Sequence, residues 1–289
     1  MIDINKNNNQ QTIAKPIKIE GIGLHSGVNV CMNLLPAEVD TGIRFLRTDL
    51  SSNNIVDALW SNVSNTNLST TISNNSGVSI STVEHLMSAL SGLHIDNLIV
   101  EIDAPEVPIM DGSSKEFVKL IDLSPLKNLN KKRRIIKIKK DIKVLKNDSS
   151  VELKPNSQFS IDFEIDFPSN LISKQSCQLQ LVNGNYKSDI ASARTFGFEK
   201  DVDTLRSNGL ALGGSLDNAV VVGDNEILNK DGLRFKDEFV RHKILDSIGD
   251  LYLAGAPIQG YFYGNKSGHY LNNLLLKSLF ASKDNYEYI

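Results

Sequence analysis

Strands and helices mixed within each of two similar halves are the fold class that this sequence predicts. Three observations carry that reading. The chain has 289 residues, enough for one large domain or two ordinary ones with separate cores. Alternating apolar segments run through residues 13–35 and return at 135–167. Val83-Glu84-His85 and Val240-Arg241-His242 each open a helix that follows strands and precedes a strand, so one βαβ-type plan is used twice, or three letters coincide.

Composition bounds the function. Hydrophobic residues make up 40% and charged residues 22%, an ordinary globular balance, and a net charge of -3 gives no reason to expect nucleic acid. The run Lys131-Lys132-Arg133-Arg134 reads as the start of a strand with a solvated basic face rather than an anion-binding patch. Cys31 and Cys177 form no CxxC pair, which argues against a disulfide framework or thiolate metal site and for a reducing, cytoplasmic setting. The polar N-terminus lacks a signal-peptide apolar region, and nothing approaches the ~20 apolar residues of a membrane span. No exposed heptad or broad apolar stripe asks for a partner chain, so a monomer is expected.

In chain order, the Asn-rich residues 1–11 are expected to fray. Residues 13–19 and 28–35 read as antiparallel strands joined through Gly21, Gly23 and Gly27. His25 sits in that glycine-rich connection, where a local hydrogen-bonding role and a chemical one are both open. Residues 41–49 form another strand, and 51–67 a loop-rich excursion with short strands. A helix starts near Glu84 with Ser81 or Thr82 as its N-cap and a stripe of Leu86, Ala89, Leu90 and Leu93; a buried strand over 95–102 follows. Next comes a Met-Asp-Gly turn, with Ser113 placed to cap a helix over 115–121 and Asp111 open between turn and substrate roles. Residues 123–130 read as an interdomain linker. Strands then fall at 135–144, 151–154, 158–167 and 178–182, a tight turn at Asn183-Gly184-Asn185, a helix at 200–207, a strand at 219–222, a strand at 258–263 and a final helix at 270–282.

The stretch over 238–250 organises the rest. It lacks proline, and Val240, Ile244, Leu245 and Ile248 recur at helical spacing. His242 and Asp246, four apart, share a face, with Asp250 one turn on, so imidazole and carboxylate can reach one divalent cation, though an ordinary surface pair has the same spacing. Lys243 points off that stripe.

Several blocks in one order decide between those readings. They are Gly21-Ile-Gly-Leu-His25-Ser-Gly27, Ser81-Thr-Val-Glu84-His85-Leu86, the segment from Ala104 to Ser113, Ala193-Arg-Thr195-Phe-Gly-Phe198, Asp231-Gly-Leu-Arg-Phe235, the segment from Phe239 to Asp250, and Lys266-Ser-Gly-His269. Together they resemble the zinc-dependent UDP-3-O-acyl-N-acetylglucosamine deacetylases, which carry out the committed step of lipid A (lipopolysaccharide) biosynthesis in Gram-negative bacteria. The resemblance implies a two-domain α+β fold, each domain a sheet packed on helices with an insert, and a site between them. The domains would be 1–127 and 131–289, the inserts about 45–72 and about 195–225.

The implied reaction is hydrolysis of an N-acetyl amide with release of acetate. Zn2+ is the implied cofactor, since it acidifies water and holds developing negative charge. The resemblance makes His85, His242 and Asp246 its ligands. Glu84 takes the place of the general base, His269 that of the second acid–base residue, oriented by Asp250, and Thr195 that of an oxyanion donor. Lys243 falls near the nucleotide's phosphates, and Phe196 and Asp201 near sugar and uridine. Leu68, Val202, Ala211, Ser215, Ala219 and Val221 match positions lining the acyl-chain passage, although a small core uses the same residue types. Ser69 stands where some members carry cysteine, which removes one possible thiolate contact. Another metal amidohydrolase is the rival within enzymes. A catalytically silent nucleotide-sugar-binding protein on the same fold is the rival outside them, and the intact set from Glu84 to His269 argues against it.

Overall fold

The computed structural model describes residues 8–181 and 184–289. Alternation builds the first sheet, because every second side chain of a strand faces the same way. Ile17, Ile19, Val30, Met32, Leu34 and Phe45 are buried on one face. In spatial order the strands are Ile17–Ile22, Asn29–Pro36, Leu98–Ile102, Ile43–Arg47 and Ile55–Asp57. Their successive pairings are antiparallel, antiparallel, parallel and antiparallel.

The second half repeats this plan. Its sheet runs Ile142–Lys146, Ser149–Lys154, Tyr261–Asn265, Ser160–Asp166 and Lys174–Gln180, with the same sequence of pairings. In both sheets the last strand in the chain lies in the middle, parallel to the third. The chain between those two strands carries a helix in each half: α1 (Glu84–Gly92) in the first and α5 (Glu238–Tyr252) in the second. The plan repeated from the sequence is therefore a repeated topology, and the mixed fold of two sheet-and-helix layers is as expected. Helix α2 (Lys115–Asp122) follows the first sheet; α3 (Asn185–Asp189), α4 (Val202–Ser207) and α6 (His269–Phe280) complete the helices among the described residues.

Helices α1 and α5 face each other across the two halves. All of α1 from Glu84 to Leu90 is buried, as a helix covered on every side must be. Gly249 permits the approach: a Cβ there would lie 2.0 Å from the Glu84 carbonyl oxygen. Gly92 stands seven residues after His85 as Gly249 stands seven after His242, and it admits the ring of Tyr186, 2.2 Å from where a Cβ would be.

The polar stretches are where the structure departs from expectation. Asn9–Ile13 is a strand, paired antiparallel with Leu126–Lys132, so residues 9–11 are not frayed and most of the 123–130 stretch is ordered as a strand; residues 1–7 lie outside the described ones. Of Leu126–Lys132 only Leu129 is buried, which left no apolar signal to read. The basic run is not wholly solvated either. Arg133 donates to the His94 carbonyl at 2.6 Å and to Asp96 at 2.8 Å, tying this strand to the loop after α1. Val63–Asn65, Thr71–Ser73 and Ser79–Ile80 form a separate small sheet, starting later than the first insert was placed, because Ile43–Arg47 and Ile55–Asp57 pair into the main sheet. In the second half Phe196–Phe198 and Val220–Val222 pair in parallel around α4, within the 195–225 stretch. The chain's last strand, Tyr286–Tyr288, pairs with Ile136–Ile138. Val182 and Asn183, the end of one expected strand and the start of an expected turn, lie outside the described residues.

No helix among the described residues is long and apolar enough to cross a membrane.

Candidate metal centre and active site

The start of α1 is set by tension rather than by a side-chain cap. Neither Ser81 nor Thr82 caps it; the N-cap residue is Val83 and makes no side-chain cap bond. Thr82 instead adopts φ +56°, a left-handed conformation that costs a β-branched residue free energy. Its hydroxyl donates to buried Glu106 at 2.9 Å, and Glu106 also accepts from the backbone N–H of His25 and Ser26 at 2.9 and 2.8 Å. The glycine-rich loop and the entry to α1 are thus gathered on one carboxylate.

His85 from α1 and His242 and Asp246 from α5 converge, their possible ligand atoms all within 4.8 Å of one another. His242 Nδ1 lies 3.1 Å from the Ala193 carbonyl, which can only accept, so Nδ1 carries the proton and the Nε2 lone pair faces inward. Burial pushes His242 down to about 3, so the ring is neutral at pH 7. Asp246 Oδ1 stands 3.3 Å from His242 Nε2 and 3.5 Å from His85 Nε2, yet it is buried without a hydrogen-bond partner. Bonds of about 2.0–2.2 Å in a tetrahedron put ligand atoms roughly 3.3–3.6 Å apart. An orphaned carboxylate oxygen facing two imidazole nitrogens at that spacing fits a divalent cation.

Burial works against charge on Asp246, but its neighbours hold it well below the usual carboxylate range. Those neighbours are His242, Lys243, His85 and His269, and Lys243 is in direct contact, its Nζ donating to Asp246 Oδ2 at 2.7 Å. Lys243 is therefore not off the ligand stripe. Three residues before Asp246, it reaches forward one turn to the same carboxylate.

Beside this cluster lies a second one. His269, first residue of α6, donates Nδ1–H to Asp250 Oδ2 at 2.8 Å and points Nε2 at Glu84 Oε1, 3.8 Å away. Burial lowers the affinity of His269 for its proton, but the carboxylates of Asp250 and Glu84 outweigh it and push the imidazole up to about 9. Burial raises Glu84 above the usual glutamate range. Its Oε2 accepts from the Thr70 N–H at 3.0 Å, so the carboxylate is turned into the site instead of capping α1. A buried acid whose proton affinity is raised, a buried imidazolium and a candidate cation site adjoin one another.

Comparison with known proteins fits this arrangement. The family model LpxC, UDP-3-O-acyl N-acetylglycosamine deacetylase, matches residues 10–281. A UDP-3-O-acyl-N-acetylglucosamine deacetylase of Shewanella oneidensis is 46% identical over 282 residues, covering 97% of this chain and 92% of the relative. One of Syntrophus aciditrophicus is 47% identical over 277 residues, covering 96% and 88%. This chain belongs to the LpxC family.

The remaining positions singled out in this LpxC-family chain fall on surrounding elements. Phe196 packs edge-on against Phe239 and His242, and Lys243 Nζ lies 5.9 Å from its ring centre. Thr195 donates its N–H to the Gly112 carbonyl at 2.7 Å and lies two residues from Ala193, which holds His242. Gly112 itself is at φ +84°, and a Cβ there would lie 2.2 Å from the Asn218 carbonyl oxygen. Asp201 is exposed at the entry to α4. Val202, Ala211, Ala219 and Val221 are half-buried, and Ser215 and Leu68 are exposed, the latter at φ +63°. His25 and Asp111 each make a contact between the two halves. His25 Nδ1 accepts from the Ala211 N–H at 3.4 Å, where the second half's insert rests on the first half's loop. Asp111 accepts from Ser113 Oγ at 2.7 Å and pairs with Arg234 at 2.8 Å. Ser113 in turn accepts from the Lys115 N–H at 3.1 Å, but the N-cap of α2 is Ser114, which makes no side-chain cap bond, so Ser113 stands one residue before the capping position expected of it.

Sequence reasoning missed residues that hold the acid–base cluster and the chain around the site in place. Thr70 and Asn272 grip Asp250 at 2.6 and 2.8 Å. Buried Glu238 clamps Arg194 through its Nε at 2.8 Å and takes the backbone N–H of Arg194 and Arg234 at 3.0 and 2.6 Å. As the first acid of α5, Glu238 reads from the sequence as an ordinary dipole-favoured residue.

Proposed function

We propose that this chain is a zinc-dependent hydrolase that removes the N-acetyl group from UDP-3-O-acyl-N-acetylglucosamine, acting in the cytoplasm as a monomer. The observation that carries this reading is the convergence of His85, His242 and Asp246 beside Glu84 and His269. Two imidazoles and one carboxylate are a ligand set that suits zinc and leaves a position open. When bound there, zinc would lower the pKa of water toward neutrality and polarise the amide carbonyl.

The chain's own residues supply the rest. Glu84 takes a proton from the attacking water as the new C–O bond forms. The hydroxyl of Thr195 donates to the carbonyl oxygen as negative charge develops on it. His269, an imidazolium held by Asp250, gives its proton to the sugar nitrogen as the C–N bond breaks, leaving a free amine and acetate. Lys243 holds Asp246 by Oδ2, leaving Oδ1 free to serve as the carboxylate ligand, and its charge lies on the side assigned to the phosphates. Phe196 and Asp201 are assigned to the sugar and uridine. Leu68, Val202, Ala211, Ser215, Ala219 and Val221 are assigned to the acyl chain, in a domain division near residues 127–131.

Acetate release from the acylated UDP-sugar tests the reading. The wild-type chain is expected to turn over, while Glu84→Ala falls by about 10²–10⁴-fold and His85→Ala loses both metal and rate. Full activity in either variant, or tight binding of the sugar with no acetate from the wild type, overturns it.

A further inference from the structure

We propose that Thr70 is a positioning residue for the deacetylation, fixing Asp250 and through it His269 against Glu84. Thr70 is buried and touches both carboxylates of the acid–base cluster. Its N–H donates to Glu84 Oε2 at 3.0 Å and its hydroxyl to Asp250 Oδ1 at 2.6 Å. Glu84 belongs to the first half and Asp250 to the second, so one residue gauges the distance between them. Its donors are split across Asp250. Oδ1 takes Thr70, while Oδ2 takes His269 Nδ1 and Asn272 Nδ2, each at 2.8 Å.

This division has a mechanical meaning. The terminal torsion of an aspartate is broad, so a carboxylate held at one oxygen can rock. Held at both, its plane is set. Because His269 Nδ1–H is bound to Oδ2, setting the plane aims His269 Nε2 toward Glu84 Oε1. Threonine suits the task because its β-branch narrows χ1 and keeps the hydroxyl on line. The segment leading to it includes Leu68 at φ +63°, which turns the chain inward from the exposed tip.

The inference rests on the deacetylase reading, and the test separates the two. Thr70→Val keeps the shape and the backbone donor but removes the hydroxyl. Its kcat is expected to fall on the order of 10- to 100-fold, the worth of a hydrogen bond to a charged group. KM and zinc content should hold, the melting temperature should fall by a few degrees because Asp250 Oδ1 loses its partner, and Thr70→Ser should recover most of the rate. In an Asp250→Asn background Thr70→Val should cost nothing further. Independently of turnover, the downfield proton resonance of His269 Nδ1–H should move upfield in Thr70→Val and return in Thr70→Ser. A wild-type kcat in Thr70→Val, a change confined to KM, additive losses with Asp250→Asn, or an unmoved resonance each overturns the role of Thr70. A wild-type chain that releases no acetate while the resonance still responds overturns the deacetylase reading and leaves Thr70 as the residue that sets Asp250.

Discussion

Two residues with opposed tasks share one buried space. His269 is held near 9, so it carries its proton at neutral pH and loses it as pH rises through that value. Glu84 lies above the ordinary 4.5, so it becomes a base only after pH has climbed past the usual glutamate range. The pH dependence of kcat/KM is therefore expected to be bell-shaped, with a basic limb near pH 9 that His269→Ala abolishes along with most of the rate. A profile that stays flat through pH 9 would remove His269 as the acid. The candidate site was legible mainly through the blocks that carry the family resemblance; the one-turn spacing of His242 and Asp246 left an ordinary surface pair open, and Glu84 stood out only because it adjoins His85 in such a block. Thr70 was not legible, because its partner Asp250 is 180 residues away and nothing local marks a buried threonine.

Elements tell a similar story. Apolar periodicity located α1, α5 and α6, and their observed bounds lie within a few residues of the expected ones. What periodicity could not give is the contact between α1 and α5, which depends on a missing side chain. Gly249→Ala would put a Cβ 2.0 Å from the Glu84 carbonyl oxygen, a backbone atom that cannot swing aside. The helices must part or the helix must bend, at a cost of about 1–3 kcal/mol typical of overpacking. Urea unfolding is expected to show that loss, with weaker metal binding besides, since the proposed ligands ride on the two helices. Unchanged stability would mean that the helices are free to slide. Polar strands such as Leu126–Lys132 escaped notice for the opposite reason: they bury too little to leave a pattern.

At the scale of the molecule, two halves of one topology present His85 on one side and His242 and Asp246 on the other. An ion bound there joins them, and binding to the folded state alone adds about 2.7 kcal/mol of stability at 100 times Kd and about 4.1 at 1,000 times. Stripping the metal with a chelator should lower the melting temperature, zinc should restore it, and His85→Ala should be insensitive to both. Equal melting temperatures with and without metal would argue against a site shared between the halves. The doubled plan was visible in the sequence as two short matching helix starts, whereas the identical strand order was not, since strand pairing is settled by contacts between distant segments.

Main chain resting on main chain at Gly249 and Glu84 makes the opening between the histidines a rigid gauge. Side chains can change rotamer within nanoseconds, but packed helices move only as rods and far more slowly. Calcium seeks six to eight oxygens at about 2.3–2.6 Å; a cluster that offers two imidazoles and one carboxylate suits it poorly, so its ligand types alone favour a smaller, nitrogen-seeking cation.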